Sequence, residues 1–185
     1  MRELAFIVDS LFALLVGVFL LRLLFQLVRT DFRNPLVQAL VRITNPLVLP
    51  LRRVLPALGR IDTASVVAVV LAQMLRTTLV LVLGGAGLPA VVPLLLLSVV
   101  ALLDTTLLVF LIAVFAFVIL SWVAPDGYSP AGRVLADLVE PLLRPFRQAL
   151  PALGGLDLSP LVVILLLSVV RMVLNGRIAP LLLSM

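Results

Sequence analysis

Three residue types are missing from these 185 residues: there is no cysteine, no histidine and no lysine. Without cysteine there are no disulfides and no thiolate chemistry, and the redox compartment cannot be inferred from cysteine usage. Without histidine the chain lacks the commonest metal ligand and the side chain that most readily moves protons near neutral pH. All 14 basic residues are arginine, so Schiff-base chemistry and lysine modification are excluded. Charge is scarce as well: 12% of residues are charged, where soluble domains carry about a quarter. There is no GxSxG, no phosphate-binding glycine loop, no pair of polar carboxylates in a loop and no TVGYG-like filter. The expectation is a non-enzymatic protein that carries no cofactor and no metal.

What fills the chain instead is apolar. Hydrophobic residues make up 63% and the mean hydropathy is +1.32, which makes a bilayer the solvent. The net charge of +5 comes from arginines in the loops that flank apolar runs. Anionic lipid headgroups are therefore the expected partner, and nucleic acid is not.

An internal duplication organises the rest. The stretch NPLVLPLRRVLPALGRID, residues 45–62, returns as EPLLRPFRQALPALGGLD, residues 140–157, with ten of 18 positions identical at a constant shift of 95. The sequence predicts an all-α membrane protein of two tandem repeats. Each repeat has a transmembrane helix, an interfacial amphipathic helix kinked by proline and a second transmembrane helix, and a pseudo-twofold axis relates the two. Repeat 1 covers 1–84, with a span at 4–28, an interfacial segment at 34–58 and a span at 64–83. An apolar connector follows at 85–96. Repeat 2 covers 97–185, with a span at 97–123, an interfacial segment at 130–152 and a span at 159–176. The first span reads as retained rather than as a cleaved signal peptide, because Asp9 interrupts it and no small-x-small site follows. The run from Leu88 to Val123 is too long for one straight helix to fit across a bilayer, so it must break, tilt strongly or project.

Turn chemistry supplies the boundaries. Asn34-Pro35 is a helix start with Asn34 as N-cap and Pro35 at the first helical position. In the helix that follows, Leu36, Leu40, Ile43 and Leu47 form the apolar face against Gln38 and Arg42. Pro46 and Pro50, with Pro141 at the matching place in repeat 2, predict short kinked pieces rather than a continuous helix. Asp62, Thr63 and Ser65 cap the second span. Gly154-Gly155 makes a turn before Asp157, with Ser159 as cap and Pro160 at the first position of the last span.

Four charges fall inside the spans at matched positions: Asp9 with Asp104, and Arg76 with Arg171. An ionisable group inside a membrane is a functional candidate, here for a cation or proton path. Against that stands a structural reading, in which the carboxylates sit near an interface and pair with the arginines, or the arginines snorkel to the headgroups. Arg52, Arg53, Arg144 and Arg147, set among the repeated prolines, are candidates for docking lipid phosphates or a protein partner. The arginine count places both Arg-Pro loops in the cytoplasm. This makes the repeats parallel unless the Leu88 to Leu103 region crosses the membrane, in which case they are inverted, as in many transporters.

The residues Asp31, Asn34-Pro35, Thr44, Pro46, Pro50-Leu51-Arg52-Arg53, Pro56, Asp62 and Ser65 in the first copy carry a family resemblance. In the second copy it rests on Ser121-Trp122, Ser129-Pro130, Pro141-Leu142-Leu143-Arg144-Pro145, Arg147, Pro151, Gly154-Gly155, Asp157 and Ser159-Pro160. The chain resembles the YggT family of bacterial inner-membrane proteins, related to plastid proteins of the same two-repeat type. It departs from that pattern at Gln148, where a second loop arginine is usual. The resemblance implies a multi-pass inner-membrane protein linked to osmotic-stress tolerance, potassium accumulation, division or nucleoid distribution, or the assembly of membrane complexes. No catalytic or transport residues carry over. Two functions remain open: a membrane scaffold or assembly factor with a protein partner or a second copy of itself, and an ion conduit or transporter subunit.

Overall fold

The computed structural model describes residues 2–56, 62–88, 90–123, 129–149 and 157–178. The described residues are helical throughout apart from their turns. The helices are α1 (Arg2–Val28), α2 (Pro35–Val54), α3 (Thr63–Leu83), α4 (Val91–Val123), α5 (Pro130–Ala149) and α6 (Ser159–Val173), the last continued by a π-helical turn, Leu174–Ile178. Four of these, α1, α3, α4 and α6 with the start of its π turn, are long and apolar enough to cross a membrane. Their lipid-facing sides carry exposed residues such as Phe6, Leu14, Ile112 and Trp122. Several hydroxyls within them bond back to the helix: Thr78 donates to the Met74 carbonyl, Thr105 to Ala101 and Ser168 to Ile164, whereas the buried Ser98 hydroxyl of α4 has no partner among the described residues.

The shift of 95 also governs the helix ends. Displaced by that amount, α2 coincides with α5 at both ends, α1 ends where α4 ends, and α3 covers α6 plus its π turn to within one residue. Within repeat 1, α1 packs most extensively on α3 and α2 lies across both; α4, α5 and α6 are related in the same way, and α3 against α4 is the main seam between repeats. The core runs through the centre of the bundle and includes Val16, Phe19, Leu20, Val69, Ala113, Val114, Val163 and Leu167.

Three local features refine the expected picture, and the second corrects it. Residues 91–96 of the expected connector are helical: α4 begins at Val91 and runs unbroken for 33 residues. That is about 50 Å against a hydrocarbon core of about 30 Å. Asp9 lies seven residues into α1 and Asp104 thirteen residues into α4, so with the two aspartates level, α4 overhangs by about 9 Å. Its first two turns are apolar, and Pro93 falls in the first turn, where its missing N–H costs no hydrogen bond within the helix.

The prolines do not divide the amphipathic helices. Pro46 and Pro50 lie inside α2, and Pro141 and Pro145 inside α5. All four are exposed, and the four-residue spacing stacks them on one face, so the carbonyls they leave unbonded open to the surroundings rather than into the core.

The apolar residues of α2 divide between two sides. Val37, Thr44 and Val48 are buried, with Leu40 packed beside them. By contrast Leu36, Ile43, Leu47 and Val54, spaced seven, four and seven residues apart, form an exposed apolar stripe. The periodicity located an apolar side, but α2 has two: one against the protein and one open.

Asn34 joins the repeats. Its Oδ1 accepts from the Leu36 N–H at 3.0 Å, capping α2, while its Nδ2 donates to the Pro130 carbonyl at 2.8 Å at the start of α5. Both amphipathic helices therefore start side by side at the same end of the bundle, and the repeats are parallel. The chain has no cysteine of its own, so single-cysteine labelling in sealed vesicles reads this directly. Arg53→Cys and Arg144→Cys should be modified from the same side and Ala86→Cys from the other; labelling of the first two from opposite sides would mean inverted repeats.

Candidate functional site

Two layers of charge bracket the core. In the layer far from α2 and α5, Arg76 Nε donates to Asp9 Oδ1 at 2.8 Å. At the matched place in repeat 2, Arg171 Nε and Nη2 donate to Asp104 at 2.7 and 3.0 Å, and Asn175 Nδ2 adds a bond at 2.7 Å. Asp9, Arg76 and Asp104 line one cavity of about 270 Å³ between the repeats, together with Gln73, Thr77, Thr105 and Asn175. Asp9 is near the start of α1 and Arg76 near the end of α3, so each pair also records that the two spans of its repeat are antiparallel.

The second layer holds α2 and α5 against the starts of α3 and α6. Arg52 makes a forked contact with Asp62, its Nε lying 3.1 Å from Oδ2, and Ser65 Oγ donates to the same oxygen at 2.6 Å. Gln26 of α1 adds a longer bond at 3.4 Å. In repeat 2, Arg147 Nε donates to Asp157 Oδ2 at 2.8 Å and its Nη1 to Glu140 at 2.6 Å. Each Arg–Asp pair is ten residues apart and the two pairs match at the shift of 95. Burial alone would raise the Asp62 carboxyl, but Arg52, Ser65 and Gln26 outweigh it and hold the pKa at about 2. Asp157 is likewise below its ordinary value, because Ser159 and Arg147 outweigh its burial.

Asp62 stands at the N-cap of α3 without bonding a backbone N–H; its oxygens are taken by Arg52, Ser65 and Gln26. Asp157 does accept one, from Ser159, at 2.9 Å. That bond places Ser159 in the first turn, with Leu158 at the N-cap and Pro160 next along. Arg52 and Arg147, expected as docking residues, are thus engaged within the protein. Arg53 and Arg144 are exposed and make no ion pair among the described residues. Pro35 opens α2 as its first residue. Gly154 and Gly155 lie outside the described residues.

One feature of this layer was not singled out from sequence. Arg22, in α1, is only 2% exposed. Its Nη1 donates to Thr44 Oγ1, to Asn45 Oδ1 at 3.0 Å and to the Val41 carbonyl at 3.3 Å, tying α1 to the middle of α2. Among the described residues no carboxylate bonds it. At the equivalent positions repeat 2 has Phe117, Val139 and Glu140, and Phe117 lies under the Arg147 guanidinium, 5.9 Å from ring centroid to Cζ. The signal was a lone arginine deep in an apolar run whose repeat partner is phenylalanine.

Where α2 and α5 begin, a further cavity of about 570 Å³ is lined by Asp31, Arg33, Arg133 and Asp137. Burial, chiefly, and the charge of Asp31 raise the Asp137 carboxyl above its ordinary value, with the Asp31 backbone opposing them. Among the described residues no group of three or more acidic side chains is close enough to hold a metal ion.

The family model described as CCB3/YggT matches residues 1–83 and 96–178, so the two matched regions follow the two repeats. An uncharacterized Pseudomonas aeruginosa protein is 44% identical over 175 residues, 94% of this chain and 89% of its own. An uncharacterized Escherichia coli K12 protein named YggT is 38% identical over 172 residues, 93% of this chain and 89% of its own. A Vibrio alginolyticus protein is 36% identical over 183 residues, 97% of each chain. No solved structure matches the chain.

Two outcomes test the second layer. Asp62 has a folded pKa of about 2 against an ordinary 3.8, so its contribution to stability is complete above pH 3.8 and is lost as the pH falls towards 2. Acid titration of unfolding should show that loss in the wild type and not in Asp62→Asn. Arg22→Leu strips the bonds from Asn45 and should cost about 1.5–3 kcal/mol in denaturant unfolding. Arg22→Phe with Thr44→Val, which copies repeat 2, should recover most of that loss.

Proposed function

The chain belongs to the CCB3/YggT family, and from that premise we propose that it is a non-enzymatic membrane factor whose paired amphipathic helices form a basic shelf for anionic lipid headgroups and for membrane partners. The observation that carries this reading is the three-sided character of α2. One side is buried on the bundle, one is the open stripe of Leu36, Ile43, Leu47 and Val54, and the third presents Gln38, Arg42 and Arg53, all exposed. Such a helix can lie in the interface with its open stripe among acyl chains and its guanidiniums at phosphate depth. The arginine count puts this shelf on the cytoplasmic face of a bacterial inner membrane. A role in envelope integrity under osmotic stress would follow from holding lipids or partner proteins at that face.

A second reading, a potassium or other cation conduit, draws on the cavity shared by Asp9 and Asp104. Each of those carboxylates is already matched by an arginine within 2.8 Å, which leaves little net field to attract a cation.

Lipid retention measured by native mass spectrometry tests the shelf. The wild type should keep phosphatidylglycerol through detergent exchange, and Arg42→Gln, Arg53→Gln, Arg144→Gln should lose at least tenfold of it while remaining folded; equal retention in both would sink the proposal. Potassium and sodium flux into liposomes, abolished in a folded Asp9→Asn, Asp104→Asn variant, would instead establish the conduit.

A further inference from the structure

We propose that the cavity between the repeats, at the end of the bundle away from α2 and α5, binds the headgroup of a zwitterionic phospholipid. This site is separate from the basic shelf and does not depend on it.

The argument starts from what the two ion pairs leave unused. Asp104 is engaged at both oxygens, by Arg171 and Asn175. The other pair is not: among the described residues Arg76 bonds through Nε alone, and only to Asp9 Oδ1. That leaves the Arg76 Nη groups as spare donors and Asp9 Oδ2 as a spare acceptor, all at the cavity.

Gln73 supplies an independent observation. It lines the same cavity and is 2% exposed. Its Nε2 donates to Thr77 Oγ1 at 3.1 Å, while its Oε1 has no partner among the described residues. A buried amide oxygen without a donor is costly in a low-dielectric site, so this position calls for a ligand that brings an N–H.

Charge then selects the ligand class. A bare cation here would face Arg76 beside an Asp104 already paired with Arg171, and a bare anion would face Asp9 and Asp104. A zwitterion meets both conditions: an ammonium can donate to Gln73 Oε1 and Asp9 Oδ2, and a phosphate can accept from Arg76. Beside Thr77, Thr105 and Asn175, the wall has an apolar part formed by Val80, Leu81, Leu97 and Val100, which suits a glycerol backbone and the start of the acyl chains. It therefore points to a lipid of the surrounding bilayer rather than a free solute. The volume of about 270 Å³ is just below the range of roughly 300–1,000 Å³ that takes drug-sized ligands, and so fits a headgroup rather than a whole lipid. Asp9 lies seven residues from the start of α1, about 10 Å down the helix, a depth that a headgroup can reach.

The test uses the full chain in detergent, with thermal unfolding and native mass spectrometry after addition of phosphatidylethanolamine, phosphatidylglycerol, soluble glycerophosphoethanolamine or potassium chloride. Phosphatidylethanolamine should raise the unfolding midpoint and stay bound, the soluble headgroup should do neither at the same concentration, and potassium should have no effect. Gln73→Leu, nearly the same size, should weaken retention of phosphatidylethanolamine at least tenfold without changing that of phosphatidylglycerol. Val100→Phe, which fills the cavity without touching a polar group, should do the same and serves if Gln73→Leu does not fold. Unchanged phosphatidylethanolamine retention in a folded variant would overturn the proposal. So would stabilisation by the soluble headgroup equal to that by the lipid, or stabilisation by potassium alone.

Discussion

A carboxylate inside a lipid-facing helix must be neutralised where it sits, and this chain meets that constraint twice in the same way. Asp9 on α1 takes Arg76 from α3, and Asp104 on α4 takes Arg171 from α6. Because the rise of a helix is 1.5 Å per residue, sliding one span past its neighbour by a turn would strand both charges in hydrocarbon. The pairs therefore fix depth and rotation within each repeat more sharply than aliphatic packing can. With α1 and α3 held antiparallel, α2 is left to bridge their far ends, and the Arg52–Asp62 contact fastens the end of α2 to the start of α3.

The two repeats share this frame and differ in what fills it. Repeat 1 buries Arg22, Thr44 and Gln73 where repeat 2 has Phe117, Val139 and Ser168. In repeat 2, Arg147 takes on the tasks divided between Arg22 and Arg52, bonding Asp157 and Glu140 while covering Phe117. The open stripe of α2 corresponds to Ala131, Leu138, Leu142 and Ala149 of α5, of which Leu138 is fully covered. The family pattern defines the frame. What distinguishes one half from the other is polar, and it is concentrated in repeat 1.

Much of that frame was legible in the residues. A constant shift of 95 located both copies, and the Asn34-Pro35 signal placed the start of α2. The matched positions of Asp9, Arg76, Asp104 and Arg171 brought the right side chains into consideration as pairs. What escaped had physical reasons. Proline was read as a helix breaker, but at Pro46, Pro50, Pro141 and Pro145 the lost hydrogen bonds fall on an exposed face, where the cost is lowest. The length of α4 was hidden because residues 91–96 are as apolar as the span they extend, and Pro93, which sits in the first turn of α4, was the one local mark of where the helix starts. On α2 periodicity found an apolar side but could not show that the protein covers one half of it and leaves the other open. Arg22 was passed over because its partners are Thr44, Asn45 and a carbonyl, none of which announces itself as a counter-charge.

The distribution of polarity along the membrane normal bears on mechanism. Between the cavity of Asp9 and Asp104 and the layer of Arg22 and Asp62 lies a closed apolar zone that includes Val16, Phe19, Leu20, Val69 and Val114, each no more than 5% exposed. Four consecutive helical turns of α1 illustrate it: Asp9 at one end, Arg22 at the other, and only apolar residues and Gly17 from 11 to 21. A hydrated ion crossing one copy of this chain would have to enter that zone without a single polar side chain from α1. The described fold therefore suits two separate binding surfaces, one at each end of the bundle, better than a continuous polar path through its middle. Conduction would require a second wall supplied by another copy, set against a face on which the residues are lipid-facing and apolar.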